Sequence, residues 1–286
     1  MKSIKRRIII AVVLIFCIMV AVFAANLYVN QNAYVSQYTY ASDKVPTEFD
    51  GFKIAVISDV HNSVYYDKII RRLDEEKPDA IIFSGDMIQL PDTDLANVVK
   101  IAESQRGKSD MYAVFGNHEA DNGAWGRRKI ASELTKSGIC VMTDLARDIE
   151  IGDAKIRLIG IADTGSGIVS DDEISRMRAV AEKNIADGEL NILIVHRANL
   201  YPKIKDLNAD LIISGHLHGG IIRLPFVGGL IGNDDEKRFP KYTSGVYKEG
   251  ENAAEMIVSR GCDYNLDKMR VFNPPDIPVI TLRTAE

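Results

Sequence analysis

Beyond Gly51 the chain alternates between short runs of consecutive apolar residues and amphipathic stretches, with no internal sequence repeat. The runs are 53–58 (KIAVIS), 80–84 (AIIFS), 111–115 (MYAVF), 156–161 (IRLIGI), 190–195 (LNILIV) and 211–214 (LIIS). A strand with one face in water alternates apolar and polar residues, whereas a continuous apolar run needs cover on both faces. Helical periodicity at 66–76, 95–105, 125–137 and 172–184 supplies that cover. The pattern predicts an α/β fold. Runs at 243–247 and 254–259 have no helix between them, so the expected sheet is mixed, a sandwich of two sheets flanked by helices. Trp125, near the start of the third helical stretch, is expected in the core, and Arg127 and Arg128 on a solvated face.

The N-terminus stands apart from this pattern. Residues 8–25 are 18 consecutive apolar residues, and with Asn26 allowed the stretch runs to Val29. At about 1.5 Å per residue it spans roughly 33 Å, enough for a hydrocarbon core of about 30 Å. Lys2, Lys5, Arg6 and Arg7 precede it and nothing comparably basic follows, so the bias of positive charge keeps residues 1–7 cytoplasmic and the rest outside. The expected organisation is a basic segment at 1–7, a membrane anchor at 8–29, a linker with an edge strand at 30–48, and one domain at 49–286. Tyr34, Tyr38 and Tyr40 share one face of that edge strand, and 43–46 reads as a turn. The alternative is a signal peptide cut after the small residue of Val22-Phe23-Ala24, leaving a secreted protein.

Charge and cysteine usage narrow the function classes. With 35 Lys+Arg against 40 Asp+Glu the chain is mildly acidic, which argues against a nucleic-acid groove and predicts no nucleic-acid partner. Three cysteines, at 17, 140 and 262, make neither a disulfide framework nor a metal-binding pair; at most Cys140 and Cys262 are bridged, and nothing demands it.

The five histidines, 61, 118, 196, 216 and 218, all fall just past predicted strands, together with Asp59, Asp86 and Asn117. Any one alone reads equally well as a turn or cap residue. Their coincidence favours a shared site, because loops at the carboxyl ends of strands lie along one edge of an α/β sheet. Two carboxylates, one amide and four imidazoles suit Mn, Fe, Zn or Mg-like ions and not a thiolate site. Seven such ligands exceed one tetrahedral ion, so a pair of ions sharing a carboxylate, about 3.5–4 Å apart, is expected. Gly85, Gly116, Gly215, Gly219 and Gly220 suit tight turns or close backbone approach there.

Asp59-Val-His61, Gly85-Asp86, Gly116-Asn117-His118-Glu119, His196 and Gly215-His216-Leu217-His218 resemble, in order, the motifs of the calcineurin-like metallophosphoesterases. The resemblance runs from about Tyr34 to the end. GHLHGGIIRLPFVGG, FPKYTSGVY and the Asn-Pro-Pro at 273–275 resemble its membrane-anchored bacterial branch, similar to UDP-2,3-diacylglucosamine pyrophosphatases. The resemblance implies that Asp59, His61 and His218 hold one metal, that Asn117, His196 and His216 hold the other, and that Asp86 bridges them. It implies a non-ligand catalytic His118, donating to the leaving oxygen or stabilising the transition state, with Glu119 orienting it. Leu217, Ile221 and Arg197-Ala198-Asn199 depart from the usual residues, which bears on substrate contacts and not on the ligands.

The function expected is hydrolysis of P–O bonds by a hydroxide bridging two divalent ions, on a lipid-linked or cell-envelope phosphodiester or pyrophosphate. Arg223, five residues past His218, is a candidate grip on a substrate phosphate. The alternatives are a broad phosphodiesterase for nucleotides or envelope polymers, and a metal-binding sensor without activity.

Overall fold

The computed structural model describes residues 2–224, 226–232, 238–263 and 270–285. Met1, Pro225, residues 233–237 and 264–269, and Glu286, all within predicted segments, lie outside the described residues. In chain order the first half runs α1 (Lys2–Asn30), β1 (Tyr34–Ser42), β2 (Lys53–Ile57), α2 (Tyr66–Glu76), β3 (Ala80–Phe83), α3 (Ala96–Gln105), β4 (Asp110–Ala113), α4 (Asn117–Asp121) and α5 (Gly123–Lys136). It continues through β5 (Cys140–Val141), β6 (Leu145–Ile151), β7 (Ala154–Ile161), α6 (Asp171–Asn184), β8 (Asn191–Arg197), α7 (Tyr201–Ile204) and β9 (Leu211–Gly215). The last strands are β10 (Arg223–Leu224), β11 (Gly228–Gly229), β12 (Gly245–Tyr247), β13 (Glu255–Val258) and β14 (Asp276–Thr284).

Two six-stranded sheets, ordered β1-β14-β2-β3-β4-β5 and β12-β13-β9-β8-β7-β6, stack face to face. The apolar runs explain the stacking residue by residue. On β2, Ile54 and Val56 enter the layer between the sheets, while Ala55 and Ile57 face α2, α3 and α5. On β8, Ile192 and Ile194 enter the same central layer, and Leu193 and Val195 pack toward α6 and α7. Successive side chains thus meet different cores, which is why neither position tolerates a polar residue. Strands β2, β3, β4 and β5 run parallel, as do β7, β8, β9 and β13. β14, β6 and β12 each pair antiparallel with a neighbour, so both sheets are mixed.

The expected α/β sandwich is therefore what the chain forms, with two local differences. β14 lies between β1 and β2, a position that the run Asp-Ile-Pro-Val-Ile does not announce, because Pro278 interrupts it. Trp125, expected in the core, is 70% exposed: the buried stripe of α5 is Gly126, Ile130 and Leu134, and Trp125 falls just off it. Cys140 and Cys262 are free thiols. Arg127 and Arg128 do lie on an exposed face.

Candidate metal centre

The parallel strands carry the ligand candidates to one edge. Asp59 and His61 follow β2, Asp86 follows β3, and Asn117 opens α4 after β4. His196 sits inside the end of β8, where the register against β9 shifts between Ile194 and Arg197, an irregularity that re-aims the side chain. His216 and His218 follow β9. Asp59, His61, Asp86, His216 and His218 all have left-handed backbone, with φ between 46° and 75°. Non-glycine residues seldom adopt it, and such strain concentrates at functional sites. Two glycines allow the close approach. A Cβ on Gly116 would stand 2.3 Å from Asp86 Oδ1, and one on Gly215 would stand 1.9 Å from Ser58 Oγ and 2.5 Å from Asp59 Oδ2.

Two clusters form. Ligand atoms of Asp59, His61 and His218 lie within 4.8 Å of one another, and so do those of Asp86, His196 and His216. Asp86 Oδ2 is 3.2 Å from His196 Nε2 in the second cluster and 3.9 Å from His61 Nε2 in the first, so its carboxylate stands between them. Asp59 Oδ1 is 3.7 Å from His218 Nε2. His61 Nε2 and Asn117 Oδ1 are buried and have no hydrogen-bond partner. Buried polar atoms are almost always paired, so these two atoms are candidates for completion by a cation. The donor set, nitrogen and oxygen without thiolate, fits a pair of divalent ions.

The ring orientations separate the candidate ligands His61, His196 and His218 from His118. His61 Nδ1–H donates to Ile88 O (3.2 Å), His196 Nδ1–H to Ser84 O (2.9 Å), and His218 Nδ1–H to Asp263 Oδ1 (3.1 Å). Each bond leaves an Nε2 lone pair facing the centre, the arrangement metal-bound imidazoles adopt. His118 is reversed. Its Nδ1 accepts from the Leu90 amide (3.2 Å), so Nε2 carries the hydrogen, 4.0 Å from Asp86 Oδ2. His118 Nε2 is also close enough to His61 and Asp86 to form a third group, but its proton distinguishes it from the candidate ligand nitrogens.

Burial sets the electrostatics. It lowers His61 to about 4 against the attraction of Asp86, and lowers His118 as well. Burial works against charge on Asp86 too, yet the imidazoles of His196, His61 and His118 hold its carboxyl well below the usual range. Burial disfavours a charged His196, but Asp86 and Asp59 outweigh it and lift the ring to about 10. The two carboxylates thus demand positive charge in this space, a proton in the absence of a cation.

Glu119, expected to orient His118, does something else. It is fully buried, and its carboxylate accepts from the amides of Asp86 (2.9 Å), Met87 (2.7 Å), Ile88 (3.0 Å) and Gly116 (2.8 Å). It clamps the Asp86 loop to the start of α4. Glu119→Gln puts amide hydrogens against amide hydrogens and is expected to destabilise the fold by about 1–3 kcal/mol, or roughly 2–4 °C in Tm per kcal/mol. Thermal denaturation followed by circular dichroism measures it, and an unchanged Tm would show that the clamp carries no weight. Arg223 Nη1 donates to Gly219 O (2.7 Å) and Thr243 Oγ1 (3.0 Å), beside the turn that carries His218.

Asp263, Arg270 and Ser58 carry no sign of a site role in the sequence, while Asn273 and Arg197 stand in segments that it marks. Asp263 accepts from His218 and is ion-paired with the buried Arg270, and Asn273 Nδ2 donates to His218 O (2.7 Å). Ser58 Oγ donates to Asp59 Oδ2 (2.6 Å). Arg197, the departure after His196, is fully buried and pairs with Asp163 (2.7 Å), holding the loop after β7.

Comparison with known proteins agrees with this geometry. Residues 52–220 match the family described as calcineurin-like phosphoesterase. The chain is 31% identical over 259 residues to YkuE of Bacillus subtilis, an uncharacterized metallophosphoesterase, covering 87% of this chain and 85% of that protein. It is 28% identical over 261 residues to an uncharacterized metallophosphoesterase of Aquifex aeolicus (87% and 91% covered). It is 26% identical over 242 residues to the phosphodiesterase YaeI of Escherichia coli (81% and 82% covered). With its matched region, these relatives and its converging ligand candidates, the chain belongs to the calcineurin-like phosphoesterase family and is a hydrolase.

Proposed function

We propose that this protein is a membrane-anchored phosphodiesterase with a dinuclear metal centre, acting on a lipid-linked or cell-envelope phosphodiester. The observation that carries the reading is the pair of buried clusters on either side of Asp86, with imidazole lone pairs turned inward and one reversed imidazole beside them. The split is Asp59, His61 and His218 in one position, Asn117, His196 and His216 in the other, with Asp86 shared. A diester is preferred to the diacylglucosamine pyrophosphate of the sequence resemblance because a relative matching four-fifths of the chain is named a phosphodiesterase. α1 is long and apolar enough to cross a membrane from Ile4 to Asn30 and is taken as an uncleaved anchor, with the basic N-terminus inside and the domain at 49–286 outside.

Divalent ions held by these residues would neutralise phosphoryl oxygens and lower the pKa of water from about 15.7 toward about 7, the chemistry that attack at neutral pH requires. The chain's own groups do the rest. Asp86 holds both positions together, and its amide is pinned by Glu119. His118 presents Nε2–H to a phosphoryl oxygen beside the centre. Asp263 fixes the His218 ring, with Arg270 balancing its charge and keeping its carboxyl well below the usual range despite burial. Asp263→Ala is expected to weaken the metal position of Asp59, His61 and His218 by about 10–100-fold while sparing the other, with Asp263→Asn milder. Metal titration reads both sites separately, and wild-type affinity at both would remove the orienting role.

The test of the reading is hydrolysis of bis-p-nitrophenyl phosphate by the purified full chain with Mn, Zn or Fe. Chelator is expected to abolish turnover and one of these ions to restore it. Turnover indifferent to chelator would refute the metal mechanism. Two bound ions with no hydrolysis across a panel of diesters, monoesters and pyrophosphates would favour the sensor instead.

A further inference from the structure

Hairpin β10–β11 and the segment around Phe272 expose apolar side chains beside the metal centre, at the very end of α1. Leu224 and Phe272 are almost half exposed, Val227 is 60% exposed and Phe226 is fully exposed. With Arg223 and Gly228, three of them, Leu224, Phe226 and Phe272, line a cleft of about 430 Å³. The segment and the hairpin are one unit: Arg223 N donates to Val271 O, and Val271 N to Ile221 O. That unit adjoins the centre, since Asn273 Nδ2 donates to both His218 O and Ile221 O.

α1 fixes where this unit stands relative to a bilayer. The only buried side chains of α1 among the described residues are Asn26 and Asn30, one turn apart on the same face. Both Nδ2 groups donate to Arg270 O, at 3.0 and 2.5 Å, while Phe272 N donates to Asn26 Oδ1 at 2.8 Å. The 270–272 segment therefore lies along the last turn of the helix, with Phe272 at its membrane-ward end, about 6 Å above the level of Asn30 by helical rise. Exposed aromatic and aliphatic residues at that depth are in the region where amphipathic and aromatic side chains enter a membrane interface.

We propose that Leu224, Phe226, Val227 and Phe272 form a lip that inserts into the bilayer α1 spans, seating the metal centre at the surface of the leaflet beside it. The proposal rests on α1 being a retained anchor. It gives that reading a consequence: a phosphodiester in the same leaflet reaches the centre without leaving the membrane, its phosphate passing over the cleft beside Arg223 while its chains remain in lipid.

The full chain reconstituted in phosphatidylcholine–phosphatidylglycerol vesicles tests this. Trp125 is the only tryptophan, so a Trp125→Phe/Phe226→Trp protein reports from the lip alone. Lipids brominated at shallow acyl positions are expected to quench at least half of its emission. In wild-type background, Phe226→Asp with Phe272→Asp is expected to lower hydrolysis of a vesicle-embedded lipid phosphodiester at least tenfold, leaving bis-p-nitrophenyl phosphate within twofold. Protein that withstands alkaline carbonate yet shows no bromolipid quenching overturns the lip and leaves the anchor standing. Extraction by carbonate overturns the anchor and the lip with it. Equal loss on both substrates, or emission already shielded in detergent at concentrations where the chain self-associates, shows that the patch serves folding or a second copy and overturns the proposal.

Discussion

Asp86→Asn is expected to empty both metal positions together and to lower kcat/KM at least about a thousandfold, the scale at which losing one preorganised charge stabiliser is felt. The reason is the placement of one carboxylate. Oδ2 faces His196 and His61 in different clusters, and Oδ1 accepts from the His118 amide at 2.9 Å. An asparagine can keep the bond to His118, but it then turns an NH₂ toward the space where cations belong. It also removes the one negative charge both clusters share, leaving each position with fewer anionic ligands. The fold is expected to survive, because the Asp86 backbone is held by Glu119 and not by its own side chain. The result should therefore be a folded apoprotein: Tm in chelator close to wild type, but without the rise that a saturating divalent ion gives a protein that binds it only when folded. Elemental analysis checks the stoichiometry. One ion retained at full occupancy would show that Asp86 serves a single position.

The same chain shows which parts of a site are legible from sequence. The strands and helices that carry the ligands are, because two-sided burial writes itself as consecutive apolar residues; α2 spans the same Tyr66–Glu76 that periodicity picks out. The ligand candidates are legible because few residue types bind such ions and strand ends put them on one edge. The groups that orient them are not. Asp263 lies 45 residues from the ring it holds, in a stretch with no strand or helix pattern, and a carboxylate–imidazole bond leaves no local mark. Glu119 is visible as a residue but not in role, since its neighbour in sequence is His118 while its carboxylate turns to four backbone amides. Trp125 lies one residue of helical phase from the buried stripe, enough to turn the largest side chain from core to solvent. Coupling of α1 to the centre through Asn26, Asn30 and Arg270 O joins residues some 240 positions apart, and only the fold shows it.

His118→Ala is expected to keep both ions and lose about 10²–10³ in kcat, the range for removing one oriented donor to a developing oxyanion. What kind of donor it is follows from its other nitrogen. Nδ1 already accepts the Leu90 amide, so protonating it would break that bond, and burial lowers the ring's pKa further. Two divalent ions nearby would disfavour an imidazolium again by like charge. The ring is thus a neutral group with a fixed Nε2–H, suited to hydrogen-bonding a phosphoryl oxygen and unsuited to handing a proton to the leaving group. The two roles make different predictions across substrates. A general acid matters most when the leaving alkoxide is poor, so its loss should grow steeply from p-nitrophenyl to alkyl esters. A donor to a non-bridging oxygen feels the same charge whatever leaves, so the loss should stay nearly constant along that series. Measuring kcat for wild type and His118→Ala over leaving groups of graded pKa decides it. A steep dependence would return His118 to the role of acid, and loss of either ion from the variant would make it a ligand after all.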